Sequence, residues 1–528
     1  MTINTHINSG DQVTHESGST SERNIPVSGL VLICADSPVA DSVARMTIAT
    51  EASTWRFETV DALCRNSGAI DDVANSEPLN RMIIALCQGQ YSRSEVLARS
   101  RKAGIETFGT QIVEIPAQDQ DHANKAAAIT TIRGAIARSE AFDGAHPENI
   151  KTAFAGSGGK ISRRALFTIP PIEYRSVPTI NRSACIAGSG CTQCEKSCPH
   201  SAIKNAAGTV QVDTSACKSC GICVAACPQR AVEFPGYSPT EIESQVESVL
   251  FDTEGSEQNI AFACAKSENL PIDNWQIVPV ACAAMVPAAA LLSTVSSGAK
   301  SVGILRCVEE CSQQSGDKIK GRIDYAKNVL ELAGDDPKRA VNLVPAILES
   351  DNPIPDVPEP IETKSRTVEI FGRTAASSSV LALNASSPGG IESFSHPYSP
   401  LGVPVIDSAS CTMCGTCSAA CPSGALTQTG TGDWLELTLD AAKCVACSEC
   451  VDSCPELVNG AIELDLRTDV MALTVGPVIL NSDQPILCAN CDTQFTSQLT
   501  LKKLESLLGD DYSDDLYRTL CPECRTLN

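Results

Sequence analysis

The stretch CIAGSGCTQCEKSCP, Cys185 to Pro199, comes close to a pattern that the chain repeats three more times. The other copies read CKSCGICVAACP (Cys217 to Pro228), CTMCGTCSAACP (Cys411 to Pro422) and CVACSECVDSCP (Cys444 to Pro455). Those three place two residues between their first and second cysteines, whereas the opening copy places five. A disulfide between cysteines so close in sequence would be strained, and a disulfide framework would leave the repeat unexplained. The 27 cysteines therefore read as a metal protein of a reducing compartment, with a cytoplasmic location expected.

Four sulfurs must converge on an Fe4S4 cube. A C-x2-C-x2-C loop wraps three corners, and where two runs pair, the fourth cysteine of each ligates the other run's cluster. The proline after it turns the chain away. This rule groups Cys217, Cys220 and Cys223 with Cys198, and Cys191 and Cys194 with Cys227. It groups Cys411, Cys414 and Cys417 with Cys454, and Cys444, Cys447 and Cys450 with Cys421. The second group still lacks a corner, because Gly188 stands at the usual offset. Cys185 lies three residues upstream, and the glycines of IAGSG permit a tight fold-back at little steric cost. The alternatives are a three-iron cluster or an unligated thiol; ligation by Cys185 is the reading adopted.

A chain of 528 residues is too long for one core, and about three or four domains are expected. The net charge of −23 argues against nucleic acid, whose phosphates need basic partners, and suits steering toward a basic patch on another protein. Residues 1–26 are polar and contain no apolar run, so a disordered tail without a secretory signal is expected. SRRALF (Ser162 to Phe167) looks like a twin-arginine signal but lies deep in the chain, with no apolar stretch after it. The longest apolar run, Val278 to Leu292, is too short and too proline-interrupted to span a membrane. No GxGxxG follows a strand, and AGSGGKI lacks the residues of a phosphate loop, so neither flavin nor nucleotide is expected.

Alternation of apolar runs (SGLVLICADS, RMIIALC, GIETFGTQIVEI) with helix-like stretches predicts a small parallel α/β domain over 27–150. A linker over 151–180 leads to the first pair of runs, 181–235. A second α/β segment covers 236–349, with strand-like NIAFACA, NWQIVPVACA and AKSVGILRC, and helix-like PAAALLSTVSSG and GRIDYAKNVLELAG. A proline-rich, acidic linker spans 350–400. The second pair of runs fills 401–465, and 466–528 carries CANC and CPEC. Cys488, Cys491, Cys521 and Cys524 make a four-sulfur knuckle pair suited to zinc, with a rubredoxin-like iron as the alternative. The fold class is thus α/β plus α+β and multidomain: two ferredoxin-like 2[4Fe-4S] domains interleaved with two small α/β domains, then the knuckle.

The two paired blocks resemble bacterial-type ferredoxin domains with two [4Fe-4S] clusters each. On IAFACA, IVPVACAAMV, GAKSVGILRCVEEC and RIDYAKNVLELAGDDPKRAVNLV, the segment between them resembles the delta subunit of methyl-viologen-reducing hydrogenase. That resemblance implies a [2Fe-2S] cluster at Cys264, Cys282, Cys307 and Cys311; buried structural cysteines are the alternative. On LICADS, DALCRNS and RMIIALCQGQYSRSEVLARSRKAGIE, the first domain resembles the amino-terminal region of the heterodisulfide reductase A subunit. Cys34, Cys64 and Cys87 then match ligand positions, with Asp36 where that family has a second cysteine. A three-Cys, one-Asp site and a domain without a cluster are both open.

The order of domains and the CDTQF and CPECR surroundings resemble iron–sulfur proteins encoded beside proteobacterial formate dehydrogenases. The function implied is a soluble electron-transfer protein, with four [4Fe-4S] clusters relaying electrons to or from a formate dehydrogenase or a heterodisulfide-reductase-type complex. A heterodisulfide-reductase-like catalytic subunit and a cluster-delivery scaffold are the alternatives. No catalytic residue is assigned.

Overall fold

A computed structural model describes residues 27–526 apart from 47–52, 75–77, 88–90, 116–121, 146–147, 149, 155–171, 252–257, 266, 268–274, 308–315, 344–367, 432 and 510–517. The tail 1–26, SRRALF, the acidic proline-rich stretch and Cys311 lie outside the described residues.

The first domain runs β1 (Val27–Cys34), α1 (Ala40–Val43), β2 (Ser53–Val60), α2 (Ala69–Ala74), β3 (Arg81–Cys87), α3 (Arg93–Lys102), β4 (Thr110–Ile115) and α4 (His122–Glu140). Its strands are parallel in the order β2-β1-β3-β4. β1 and β3 read as continuous apolar runs because helices cover both faces of the sheet. Val31, Ile33, Ile83 and Ala85 pack toward Ile132 and Ile136 of α4. Leu30, Leu32, Met82 and Ile84 pack toward Ile70 and Val96 on the other face. Gly29 is required where the Trp55 ring lies on the strand, since a Cβ there would sit 2.3 Å from that ring.

The interval 151–180, expected as a linker, is partly structured. β5 (Ile150–Phe154) and β6 (Ile172–Ser176) close an antiparallel pair across it. The first cysteine block follows with β7 (Thr179–Ile180), α5 (Gln193–Ser197), β8 (Ile203–Ala206), β9 (Thr209–Val212), α6 (Ile222–Ala226) and β10 (Val232–Glu233). β7 pairs with β10 and β8 with β9, so each run contributes one short helix and the two helices pack together.

The second α/β domain comprises α7 (Pro239–Phe251), β11 (Asn259–Cys264), β12 (Trp275–Val280), α8 (Ala288–Ser296), β13 (Ser301–Leu305), α9 (Gly316–Leu332) and β14 (Ala340–Leu343). Its parallel order, β12-β11-β13-β14, repeats that of the first domain. The expected linker 350–400 contains a helix, α10 (Gly372–Ser386), which packs on α8 through Ala375, Ala376, Val380 and Leu383. The proline-rich, acidic stretch on which the linker reading rested ends before this helix, whose buried apolar stripe supplies its stability.

The second block has the same plan as the first. Val403–Ile406 pairs with Ile462–Asp465, and the hairpin Leu426–Thr431/Trp434–Leu439 takes Val478–Asp483 as a third strand. Short helices Thr416–Ala419 and Glu449–Asp452 pack together. The carboxyl-terminal segment adds the helix Gln498–Leu508, anchored where Ser497 Oγ and Thr500 Oγ1 donate to Thr412 O at 2.8 and 2.7 Å.

Candidate metal centres

The cysteine runs fold through left-handed turns. Ser219, Met413 and Ala446, each just before the second cysteine of its run, have φ of 57°, 54° and 50°. Gly221, Gly415 and Ser448 follow that cysteine with φ of 69°, 79° and 63°. Non-glycine residues in this region cost about 1–3 kcal/mol each, and they persist where the surroundings fix them. Here the turns aim three cysteines at one point and direct amides at sulfur: Ser219 N donates to Cys217 Sγ at 3.4 Å. Beyond the fourth cysteine of three of the runs, Ala202 N donates to Cys198 Sγ (3.3 Å), Ala231 N to Cys227 Sγ (3.2 Å) and Leu426 N to Cys421 Sγ (3.4 Å).

The opening run departs from this plan in one place. Its five intervening residues form a turn of 3₁₀ helix, Ala187–Ser189, stopped by Gly190 at φ 97°. Gly190 N and Cys191 N donate back to Ala187 O (3.0 Å) and Ile186 O (3.4 Å). The left-handed residue before the second cysteine is kept, while Thr192 after it is at φ −122°. The insertion is thus absorbed as one compact turn.

Three cavities result, each lined by three cysteines of one run and one of its partner. Cys185, Cys191, Cys194 and Cys227 line one. Cys217, Cys220, Cys223 and Cys198 line another. Cys411, Cys414, Cys417 and Cys454 line the third. Cys421, Cys444, Cys447 and Cys450 form a fourth group, close enough that Cys444, Cys447 and Cys421 all act on the Cys450 thiol.

The donor chemistry tests whether these groups suit a cationic centre. Burial, reinforced by Cys227, Cys191 and Cys185, pushes Cys194 up to about 12. Burial with Cys411 and Cys414 does the same to Cys417, and burial with Cys444 and Cys447 to Cys450, each reaching about 12. Cys223 is also raised, first by burial and then by Cys220 and Cys217. Converging buried thiols resist becoming thiolates without a nearby positive charge; an iron cluster supplies that charge and takes four thiolates. The residues fit such a group.

Arg373 at the start of α10 is a neighbour that the sequence did not single out. Its guanidinium donates to Ala441 O at 2.9 Å and to Cys444 O, and its Nη1 is buried without a hydrogen-bond partner among the described residues. Burial raises Cys444 overall, against the smaller opposing pulls of the Ala446 amide and of Arg373. Nothing local in FGR marks this role, because α10 reaches the second block only through long-range packing.

The other cysteines form smaller groups. Cys34 and Cys87 end β1 and β3, Cys64 follows β2, and the three sulfurs lie within 4.8 Å of one another, all buried. Cys34 and Cys64 Sγ are 3.5 Å apart. Burial pushes Cys34 up, but the amides of Cys64 and Asp36 outweigh it and lower the thiol; burial and the Cys34 charge drive Cys87 to about 12. Asp36 pairs with Arg65 at the exposed rim and is not within the sulfur group. In the second α/β domain Cys264 ends β11, while Cys282 and Cys307 follow β12 and β13, the same three strand positions. Cys488, Cys491, Cys521 and Cys524 have sulfurs within 4.8 Å of one another. Cys521 N donates to Cys488 Sγ at 3.3 Å, and this amide, with those of Asn490 and Cys491, lowers Cys488 to about 6.

Comparison with known proteins bears on these groups. Residues 177–261 and residues 410–458 each match a 4Fe-4S dicluster domain family. Residues 249–351 match the family of the methyl-viologen-reducing hydrogenase delta subunit. One subunit of the ion-translocating oxidoreductase complex of Methanosarcina acetivorans is 41% identical over 59 residues, 11% of this chain. The chain covers only 21% of that relative's length. Two segments of the chain are thus similar to 4Fe-4S dicluster domains and a third, between them, to the delta subunit, a combination consistent with a multicluster iron–sulfur protein. No described helix is long and apolar enough to cross a membrane.

Proposed function

We propose that the chain is a soluble, cytoplasmic electron carrier with four [4Fe-4S] clusters, one in each four-cysteine group of the two blocks. The observation that carries this reading is the mixed lining of the cavities, three cysteines from one run and one from its partner. When bound, such clusters accept and release single electrons. The chain's own part is to hold them on thiolates and to set their potentials through burial and N–H···S hydrogen bonds. Anaerobic purification followed by iron, sulfide and zinc analysis with EPR tests the reading. Stoichiometric zinc in place of iron at the four runs would overturn it.

The partner we infer is a redox enzyme of the formate dehydrogenase type, or a heterodisulfide-reductase-type complex. Support comes from the net charge of −23 and from the delta-subunit match, a family of oxidoreductase subunits by its description. An acidic carrier steers toward a basic docking patch, and that attraction weakens as salt screens it. Failure of reduced formate dehydrogenase to reduce the protein at any ionic strength would exclude that partner. The Cys264, Cys282, Cys307 and Cys311 group is proposed to hold a [2Fe-2S] cluster, and the carboxyl-terminal four cysteines zinc.

A second reading rests on the amino-terminal group. Cys34, Cys64 and Cys87 supply three sulfurs, and Asp36 is engaged by Arg65. A metal held there would keep a position open to substrate, as in a heterodisulfide-reductase-like catalytic subunit. Turnover of a disulfide substrate by the isolated protein, lost in Cys87→Ser, would establish it.

A further inference from the structure

The two dicluster blocks meet through their own cysteine loops. Thr192 Oγ1 donates to Glu449 Oε1 at 2.5 Å, and Lys196 Nζ lies 2.9 Å from both Glu449 Oε1 and Asp452 Oδ2. Lys196 sits on α5 between Cys194 and Cys198, and Glu449 sits between Cys447 and Cys450. A second strap runs alongside. Arg373 N donates to Pro228 O at 3.0 Å, next to Cys227, while the same residue's guanidinium donates to Ala441 O and Cys444 O in the other block.

This seam brings two particular cysteine groups face to face. Thr192 directly follows Cys191, its partner Glu449 lies two residues after Cys447, and a Cβ on Gly190, just before Cys191, would lie 4.0 Å from Ala420 O, just before Cys421. Within the first block α5, which carries Cys194, packs on α6, which carries Cys223, and within the second the short helices that carry Cys417 and Cys450 pack together. The four groups therefore follow one another as neighbours. The Cys217 group adjoins the Cys185 group, which adjoins the Cys444 group, which adjoins the Cys411 group. At the first end Met285, three residues after Cys282, lies so close to Gly221 that a Cβ there would be 2.6 Å from its sulfur.

We propose that Lys196, clamped between Glu449 and Asp452, locks the two blocks into one unbroken electron path whose junction lies between Cys191 and Cys447. The inference rests on the reading that these groups hold [4Fe-4S] clusters. One electron lost at the Cys444 group is gained at the Cys185 group, or the reverse, and no bond or proton of the chain changes. Tunnelling falls steeply with distance, so a fixed short seam matters. Four-thiolate loops carry negative charge, and two of them facing each other repel; the Lys196 ammonium at the seam offsets that repulsion. Lys196 is thus a positioning residue.

Two measurements on the full chain test this. Carbodiimide treatment of the wild type should couple Lys196 to Glu449 or Asp452, read as a cross-linked peptide by mass spectrometry. EPR of the fully reduced wild type should show spin–spin broadening between blocks. Lys196→Glu should lose that part of the broadening with its iron content unchanged, and the swap Lys196→Glu with Glu449→Lys and Asp452→Lys should restore it. Absence of the cross-link, or spectra that superimpose for all three proteins, overturns the proposal. Runs devoid of iron would overturn the cluster reading as well, so the two failures are told apart by metal analysis.

Discussion

Arg138 Nη1 donates to Gln245 Oε1 at 2.8 Å, placing a guanidinium that is 1% exposed inside the α4–α7 pair that joins the two α/β domains. The same side chain reaches Pro279 O at 2.9 Å. Glu241, one turn before Gln245 on α7, accepts from Gly236 N (3.2 Å) and Ser238 N (2.6 Å). Burial lifts its carboxyl from 4.5 to about 7, against the downward pull of Arg138 and those amides.

Stability of this seam should therefore fall as pH rises. Between pH 4.5 and 7 the folded carboxyl keeps a proton that the unfolded chain has released, so native stability declines across that window and levels above it. The change is on the order of 3 kcal/mol, since each pKa unit corresponds to about 1.4 kcal/mol. Amide exchange of α7, corrected for intrinsic rates, should show this decline in the wild type and lose it in Glu241→Gln. The same slope in both proteins would mean that another group is responsible.

Arg373 should raise the reduction potential of a cluster held by Cys421, Cys444, Cys447 and Cys450, because a buried cation favours the more negative, reduced form. Replacing it with Met should lower that potential on the order of 60–120 mV, about 1.4–2.8 kcal/mol for one electron. Lys keeps the charge and should hold the potential near the wild-type value. Potentiometric EPR titration separates the two outcomes; equal drops in Met and Lys variants would assign Arg373 to packing alone.

What the sequence made legible follows from the range of each interaction. Cysteine spacing is local, so the grouping by runs could be written down from the sequence. The strands β1, β3, β11 and β13 announced themselves because burial on both faces makes them uniformly apolar. β2, reading STWRFETV, did not, since an edge strand tolerates Arg, Glu and Thr. α10 was hidden in a Ser-rich stretch because its partner, α8, lies far away in sequence. The Lys196–Glu449 seam spans 253 residues and left no local trace.

The carboxyl-terminal group should bind one zinc that holds residues 488–526 closed. Cys488 is already lowered to about 6 by backbone amides; Asn490 pulls Cys524 down, but hydrogen bonds with Cys491 and Cys521 push it up to about 12. Zinc fixes all four as thiolates, and in small sites that binding energy is folding energy. Removing the metal with a chelator, or Cys521→Ser, should speed trypsin cleavage at Arg518 by more than about tenfold. Unchanged cleavage after verified zinc loss would show that the segment closes without metal.

Cys185 decides whether the irregular opening run holds a complete cluster. Its turn, Ala187–Ser189 closed by Gly190, returns the chain to Cys191, and Cys185 lines the same cavity as Cys191, Cys194 and Cys227. Replacing Cys185 with Ser should leave three thiolates and one weak oxygen ligand, making one iron labile. Oxidation of that variant should then give a three-iron EPR signal absent from the wild type. The cluster assigned to Cys198, Cys217, Cys220 and Cys223 should survive, because none of its ligands changes. If the run had instead lost a corner at Gly188, the wild type would already show the three-iron signal and Cys185→Ser would alter nothing. An unligated thiol beside a cluster would also be exposed to oxidation chemistry that ligation prevents.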